Sequence, residues 1–362
     1  MKGYLVLENG EVFEGERIGF DADCICEVVF NTSMAGYLEV FTDPSYSGQG
    51  VCMTYPLIGN CGISREDYES SKIWLDAIFI HELAPVESNF RSELNLDAFL
   101  IENKIPGLCK INTRKLTKLL RENGTMKGML TSDVSNKEKI IEQIKSHESK
   151  NFIDLATTDK VYTVGNGKYK LALLDYGAKQ NIIRSLLERD CSVTVFPAKS
   201  TELDPKEFDG IVLSNGPGDP ANCKDEIEFI KTLCKSDIPI FAICLGHQLM
   251  GIANGAKTAK LKYGHRGPNQ PVKDIKQDRV HITSQNHGYY ILEDSIDPKI
   301  AEVSHININD NTVEGLRYIG KDILTVQFHP EACPGPKDSE YLFDDFIDVV
   351  AKKKSKGGKK NA

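Results

Sequence analysis

A cysteine, a histidine and a glutamate in this chain stand where they could carry out acyl transfer. Cys244 closes an apolar run, Ile238 to Ile243, and helix-compatible sequence follows it (Leu249, Met250, Ile252, Ala253). A strand that turns at once into a helix through a small-residue corner lifts its central side chain above the carboxyl edge of a sheet, the geometry of a nucleophile elbow. The corner also sets the thiol at a helix N-terminus, where partial positive charge favours thiolate. A buried strand-end cysteine can equally be inert packing, so the other strand ends have to decide between the two readings.

A thiol nucleophile needs a base, a group that orients the base, and donors for an oxyanion. His329, in Gln327-Phe328-His329-Pro330-Glu331, lies just past a predicted strand, and Glu331 is near enough to hold its ring and stabilise the imidazolium. Ser214-Asn215-Gly216-Pro217-Gly218-Asp219-Pro220 follows the predicted strand Gly210 to Leu213. Its glycines let the backbone approach a ligand with amides aimed at one oxygen, and Leu245, next after the cysteine, offers a second amide. No Gly-Lys-Ser/Thr follows, so this is not a phosphate-binding P-loop. Ser284-Gln285-Asn286-His287-Gly288-Tyr289 follows another predicted strand and offers backbone and aromatic contacts to a small polar substrate. His287 competes with His329 as base; the carboxylate beside His329 favours that residue. Four complementary segments at four strand ends point to a thiol-dependent acyl-transfer enzyme.

The elements that must position them divide the chain in two. To about Leu155 the sequence is β-rich: a hairpin from Tyr4 to Phe13 turning at Asn9-Gly10, strands at Glu27 to Phe30 and Ile73 to Ile80, and helices from Asn112 to Asn123 and Lys137 to Lys145. Residues 157–169 are polar, contain Gly165 and Gly167, and read as a linker. From Lys170 strands and helices alternate, which implies a mostly parallel sheet covered on both faces with ligands at the carboxyl ends of its strands. The expected domains are therefore 1–156 and 170–351, followed by a disordered tail, 352–362, that holds six lysines. The formal net charge is -8, and without that tail the body carries -14. This argues against a nucleic-acid surface. No apolar run approaches the length of a membrane span and no secretion signal is evident. The ten cysteines contain no Cys-x-x-Cys pair, so reduced thiols, a cytoplasmic location and no metal site are expected.

The second half resembles the class I, or triad, glutamine amidotransferases in Ala242-Ile-Cys244-Leu-Gly246-His-Gln248, Gly216-Pro-Gly218 and His329-Pro-Glu331. Ala242 replaces the family's first elbow glycine. The first half is similar to the small subunit of carbamoyl phosphate synthetase in Phe30-Asn-Thr-Ser-Met-Ala-Gly-Tyr37, Thr42-Asp-Pro-Ser-Tyr-Ser47, Tyr55-Pro-Leu-Ile-Gly-Asn60, Ser88-Asn-Phe-Arg91 and Asn112-Thr-Arg-Lys-Leu-Thr117. Tyr263 to Val272 and Pro334-Gly-Pro336 resemble the same small chain, and Asn112 departs from its usual Asp.

The resemblance implies a small β-rich α/β domain followed by a three-layer α/β/α domain. It implies a glutaminase in which Cys244 attacks the glutamine side chain, His329 acts as base and then acid, and Glu331 orients His329. Gly216 and Leu245 would hold the oxyanion, while Ser45, Gly218, Gln248, Asn286, Gly288 and Tyr289 would contact L-glutamine, with Ser45 placing it at the domain boundary. It further implies a heterodimer with a large subunit that uses ATP, Mg and bicarbonate to make carbamoyl phosphate for arginine and pyrimidine synthesis, with no cofactor on this chain. The competing readings are an amidotransferase serving another synthase, a silent regulatory scaffold, and a hydrolase with a cysteine elbow.

Overall fold

A computed structural model of the chain describes residues 1–148, 152–200 and 202–358. It divides into two compact units, Met1–Lys150 with Lys262–Gly267, and Asn151–Leu261 with Pro268–Ala362.

In the first unit the described residues close a barrel of seven strands, in the order Lys2–Leu7, Val12–Gly19, Pro106–Cys109, Ala77–Phe79, Gln49–Met53, Cys24–Asn31 and Met126–Thr131. The hairpin turns where Asn9-Gly10 predicts, with Val6 opposite Val12 and Gly10 at φ 88°. The strand expected over Ile73 to Ile80 contracts to Ala77–Phe79. Helix Thr113–Asn123 begins at Asn112, whose side-chain oxygen accepts from the Lys115 amide at 2.8 Å, and Gly124 ends it. Asn112 therefore works as an N-cap, a task Asn and Asp share. Ser45 lies in the short turn Pro44–Tyr46, buried, with its amide donating to Asp43 Oδ1 at 2.9 Å.

The second unit is built on ten strands among the described residues. Five form its parallel centre, in the order Cys191–Pro197, Tyr169–Asp175, Gly210–Leu213, Ile240–Ile243, Ile323–Val326. Antiparallel strands extend both sides. The alternation of these short apolar strands fills both faces. Ala172, Leu174, Ile211, Leu213, Ile240 and Ala242 pack on one side with helices Lys224–Leu233 and Leu245–Ala253. Leu171, Leu173, Val212, Phe241 and Ile243 pack on the other with Gln180–Leu187 and Tyr341–Gly358. Three layers result, as expected.

Three expectations need correction. Residues 157–169 belong to the second unit and carry the strand Tyr162–Val164, which pairs antiparallel with Cys191–Pro197. An edge strand with one solvated side tolerates the polar sequence that resembled a linker. Ser284–Tyr289 lies inside the long strand Arg279–Ile291 instead of following a shorter one, because polar side chains within that strand are buried through hydrogen bonds that hydropathy does not register. The closing helix runs to Gly358, through Lys352, Lys353, Lys354 and Lys356. Lys353 reaches Asp237 and Asp322 at 2.9 Å, and Lys354 reaches Asp209 at 2.7 Å. Cations suit the last turns of a helix. The remaining tail lysines, Lys359 and Lys360, lie outside the described residues.

Candidate active site

Cys244 occupies the corner between strand Ile240–Ile243 and helix Leu245–Ala253, at φ 53° and ψ −104°. A non-glycine residue in that region is strained and persists only where its surroundings hold it there. Here the Cys244 amide donates to the Val326 carbonyl at 2.8 Å, the Gly246 amide to Ser214 at 3.0 Å, and the Gln248 amide to Cys244 at 3.1 Å. Gly246 allows the close approach, since a Cβ there would sit 2.5 Å from the Leu213 carbonyl oxygen. Ala242 is wholly buried and its methyl group is accommodated beside Leu213 and Thr325 in the sheet.

The histidine expected to act as base arrives from the next strand of the sheet. Just beyond Ile323–Val326, His329 makes an antiparallel bridge with Ser284, and its amide donates to the Ser284 carbonyl at 2.9 Å. Its ring Nδ1 lies 2.6 Å from Glu331 Oε1, and both side chains are buried. Burial works against the imidazolium, but the Glu331 carboxylate and the Cys244 thiol outweigh it and push His329 up to about 10. Nε2 makes no well-formed hydrogen bond, so it is left available on the side that interacts with the thiol. Burial also opposes the Glu331 carboxylate, yet Lys179 and His329 hold it down to about 2.

Cys244 Sγ faces the Asn286 carbonyl at 3.8 Å. The two residues expected to donate to an oxyanion are neighbours: a Cβ on Gly216 would lie 2.9 Å from Leu245 Cδ2 and 2.3 Å from the Tyr176 carbonyl oxygen. Gly218 adopts φ 100° with open space where a side chain would stand. Gln248 donates to the Tyr289 carbonyl at 2.8 Å and to Gln327 Oε1 at 2.9 Å, tying the elbow helix to strand Arg279–Ile291, which also carries Asn286 and Gly288. The fold thus brings together Cys244, Leu245, Gly216, Gln248, Asn286, Gly288, Tyr289, His329 and Glu331 within the second unit, with Gly218 two residues after Gly216 in the same loop; Ser45 is part of the first.

His287 does not compete for the base position. Its Nδ1 lies 2.7 Å from the Tyr289 carbonyl and its Nε2 2.9 Å from Gln285 Oε1, so both ring nitrogens are engaged by the wall of the site.

Sequence reasoning missed Lys179. It is buried, its Nζ lies 3.2 Å from Glu331 Oε1, and it also donates to the Ala332 carbonyl. A fully buried lysine needs such a partner. The available signal was a fifth strand end, Asp175-Tyr176-Gly177-Ala178-Lys179, which begins at the last residue of the strand Tyr169–Asp175.

A parallel α/β sheet with a cysteine elbow and a buried His–Glu pair defines a class-I glutamine amidotransferase, and the model of that family, "Glutamine amidotransferase class-I", matches residues 172–349. The model "Carbamoyl-phosphate synthase small chain, CPSase domain" matches residues 5–130. The chain is 49% identical over 349 residues to the carbamoyl phosphate synthase small chain of Clostridium perfringens, covering 96% of this chain and 99% of that one. It is 45% identical to the small chain of Listeria monocytogenes over 359 residues, 96% of this chain and 97% of that one. Among solved structures, a glutamine amidotransferase from Thermotoga maritima aligns with TM-score 0.40 and 18% identity, over 52% of this chain and 86% of that one. This chain belongs to the carbamoyl phosphate synthase small chain family, and it is a glutamine amidotransferase.

Proposed function

We propose that the chain hydrolyses L-glutamine through a covalent cysteine intermediate and delivers the ammonia to a large synthase chain. The Cys244–His329–Glu331 arrangement carries this reading: a strained elbow thiol beside an imidazole that a buried carboxylate holds toward its cationic form. Sγ attacks the side-chain amide carbon with its proton residing on His329. The carbonyl oxygen becomes an oxyanion received by the Gly216 and Leu245 amides, the interaction that gains most as charge develops. Collapse expels ammonia, which takes its proton from His329, and leaves a γ-glutamyl thioester. Water then gives a proton to His329 and attacks the thioester, releasing glutamate and restoring the thiol.

Gln248, Asn286, Gly288, Tyr289 and Gly218 contact the substrate in this reading. The released ammonia is consumed on the large chain, where ATP, Mg and bicarbonate are used to form carbamoyl phosphate for arginine and pyrimidine synthesis. Support comes from the near full-length similarity to chains named as small chains of this synthase. The deciding experiment compares wild type and Cys244→Ser, each with and without the purified large chain. Ammonia release that disappears in Cys244→Ser, and carbamoyl phosphate made from glutamine only when both chains are present, are the expected results. Undiminished glutaminase turnover in Cys244→Ser overturns the mechanism.

A further inference from the structure

The turn that carries Lys179 serves two parts of the site at once. On one side, the Tyr176 amide donates to Ser214 Oγ at 2.9 Å and the Lys179 amide donates to Asn215 Oδ1 at 3.0 Å. The Tyr176 carbonyl backs directly onto Gly216. These contacts fix the loop that presents the oxyanion amide. On the other side, the Lys179 ammonium grips Glu331 and the Ala332 carbonyl, and Asn181 donates to the Glu331 carbonyl. Ala332 and Cys333 follow at φ 55° and 47°, so the backbone leaving the carboxylate is strained and needs holding.

One group anchors this turn. Asp175 Oδ1 accepts from the Gly177 amide at 2.9 Å and the Ala178 amide at 2.7 Å, and Oδ2 accepts from the Thr158 amide at 2.8 Å. The residue is only 8% exposed. Lys179 stands at the N-cap of helix Gln180–Leu187 and makes no side-chain cap. That position normally holds Ser, Thr, Asp or Asn, so the local preference of the helix is given up in order to place an ammonium on Glu331. A turn free of other duties would not need three backbone donors gathered on one buried carboxylate.

We propose that Asp175 is a positioning residue for the amidotransferase reaction: by clamping the Tyr176–Lys179 turn, it sets the oxyanion loop and the carboxylate behind the base from a single anchor. The proposal rests on the glutaminase reading above. Asp175 touches no reacting atom. It acts through Gly216 on one side and through Lys179 and Glu331 on the other, so its loss weakens transition-state stabilisation more than ground-state binding. Through Thr158 it also fastens the segment by which the chain enters the second unit.

The test measures glutaminase kinetics of the full-length chain as wild type, Asp175→Ala, Asp175→Asn and Cys244→Ser. For the proteins that retain Cys244, turnover is expressed per Cys244 titrated with a thiol-directed glutamine analogue, so that a misfolded fraction does not count; Cys244→Ser is expressed per chain. In Asp175→Ala, kcat falls about 100-fold, the scale of a small displacement of catalytic groups, while KM for glutamine stays within about threefold. Asp175→Asn keeps an oxygen for Gly177 and Ala178 but sets an amide NH2 against the Thr158 N–H. Its kcat falls less, to between about threefold and about tenfold below wild type, with KM again unchanged. Unchanged kcat per titrated thiol in Asp175→Ala, or a loss confined to KM, overturns the proposal. Where Asp175→Ala does not fold, Asp175→Asn decides: lowered kcat supports the clamp and wild-type kcat overturns it. A wild-type chain no more active than Cys244→Ser sinks the glutaminase reading, and the clamp with it.

Discussion

Lys179 Nζ lies 3.2 Å from Glu331 Oε1, with the two side chains 3% and 0% exposed. The ammonium stands behind the carboxylate that holds His329 Nδ1, so the Cys–His–Glu array has a fourth member. Its effect is visible on Glu331, whose carboxyl is held down to about 2 although burial pushes the other way. The arrangement runs from cation to carboxylate to imidazole to thiol, and each charge offsets the desolvation of its neighbour.

Removing the cation should destabilise the fold and shift its acid response. Breaking one partner out of a buried pair costs about 3 kcal/mol or more. In the wild type, the depressed Glu331 contributes stability that is present above its unfolded value of 4.5 and is lost as pH falls through about 2. In Lys179→Met the folded value rises, so that contribution shrinks and acid unfolding begins at higher pH. Urea unfolding of both proteins from pH 2 to 7 checks this. Superimposable pH profiles would show that Lys179 is not what holds Glu331 ionised.

The Cys–His–Glu arrangement is legible in the sequence and the cation behind it is not, for a physical reason. His329 and Glu331 are two positions apart, so their pairing is a local property of a short segment. Cys244 announces itself through the strand that ends and the helix that begins around it. Lys179 meets Glu331 only because the sheet places Tyr169–Asp175 and Ile323–Val326 with their carboxyl ends on one edge. The barrel of the first unit is invisible for the same reason, since its closure depends on Lys2–Leu7 pairing with Met126–Thr131. The full length of strand Arg279–Ile291 is hidden because Gln285, Asn286 and His287 look like loop residues; they are buried with polar partners.

The alkaline limb of glutaminase activity should report His329. Its imidazolium is favoured by Glu331 and by the Cys244 thiol, so the proton that the proposed mechanism hands to departing ammonia is retained until pH approaches about 10. The same raised value contributes stability that is fully present below the unfolded value of 6.5 and is lost as pH rises through about 10. In Glu331→Gln the largest favourable charge is gone, the imidazolium is held less tightly, and the alkaline limb of kcat/KM moves to lower pH. A pH–rate series on the two proteins measures the shift; an alkaline limb that stays in place contradicts the role given to the carboxylate.

Gly216 should tolerate no side chain. A Cβ there meets the Tyr176 carbonyl oxygen at 2.3 Å, a backbone atom that cannot swing aside. In Gly216→Ala the loop must retreat and its amide leaves the oxyanion position. Losing one such donor costs about 100- to 1,000-fold in kcat. Because substrate contacts elsewhere in the wall are untouched, KM should change far less than kcat. Gly218→Ala provides the comparison: its Cβ meets no atom of the chain within 4 Å, so its penalty comes from φ 100° and from crowding the substrate, and its loss of kcat should be the smaller of the two.

Two histidines lie on segments joined by the Ser284–His329 bridge, and their hydrogen bonds assign them different tasks. His329 has one nitrogen on a carboxylate and the other left toward the thiol. His287 has one nitrogen on the Tyr289 carbonyl and the other on Gln285. Replacing the base with Asn should cut kcat by at least about 1,000-fold, with the thiol still open to a glutamine analogue at a reduced rate. Replacing His287 with Asn leaves Cys244, His329 and Glu331 in place and loosens the wall formed by Gln285 and Tyr289. The loss should then fall mainly on KM, because the wall contacts substrate and transition state alike. Steady-state kinetics with glutamine for His329→Asn and His287→Asn separate the two. Should His287→Asn prove the variant that abolishes kcat while His329→Asn turns over, the proton belongs to His287 and the Glu331 pair is structural.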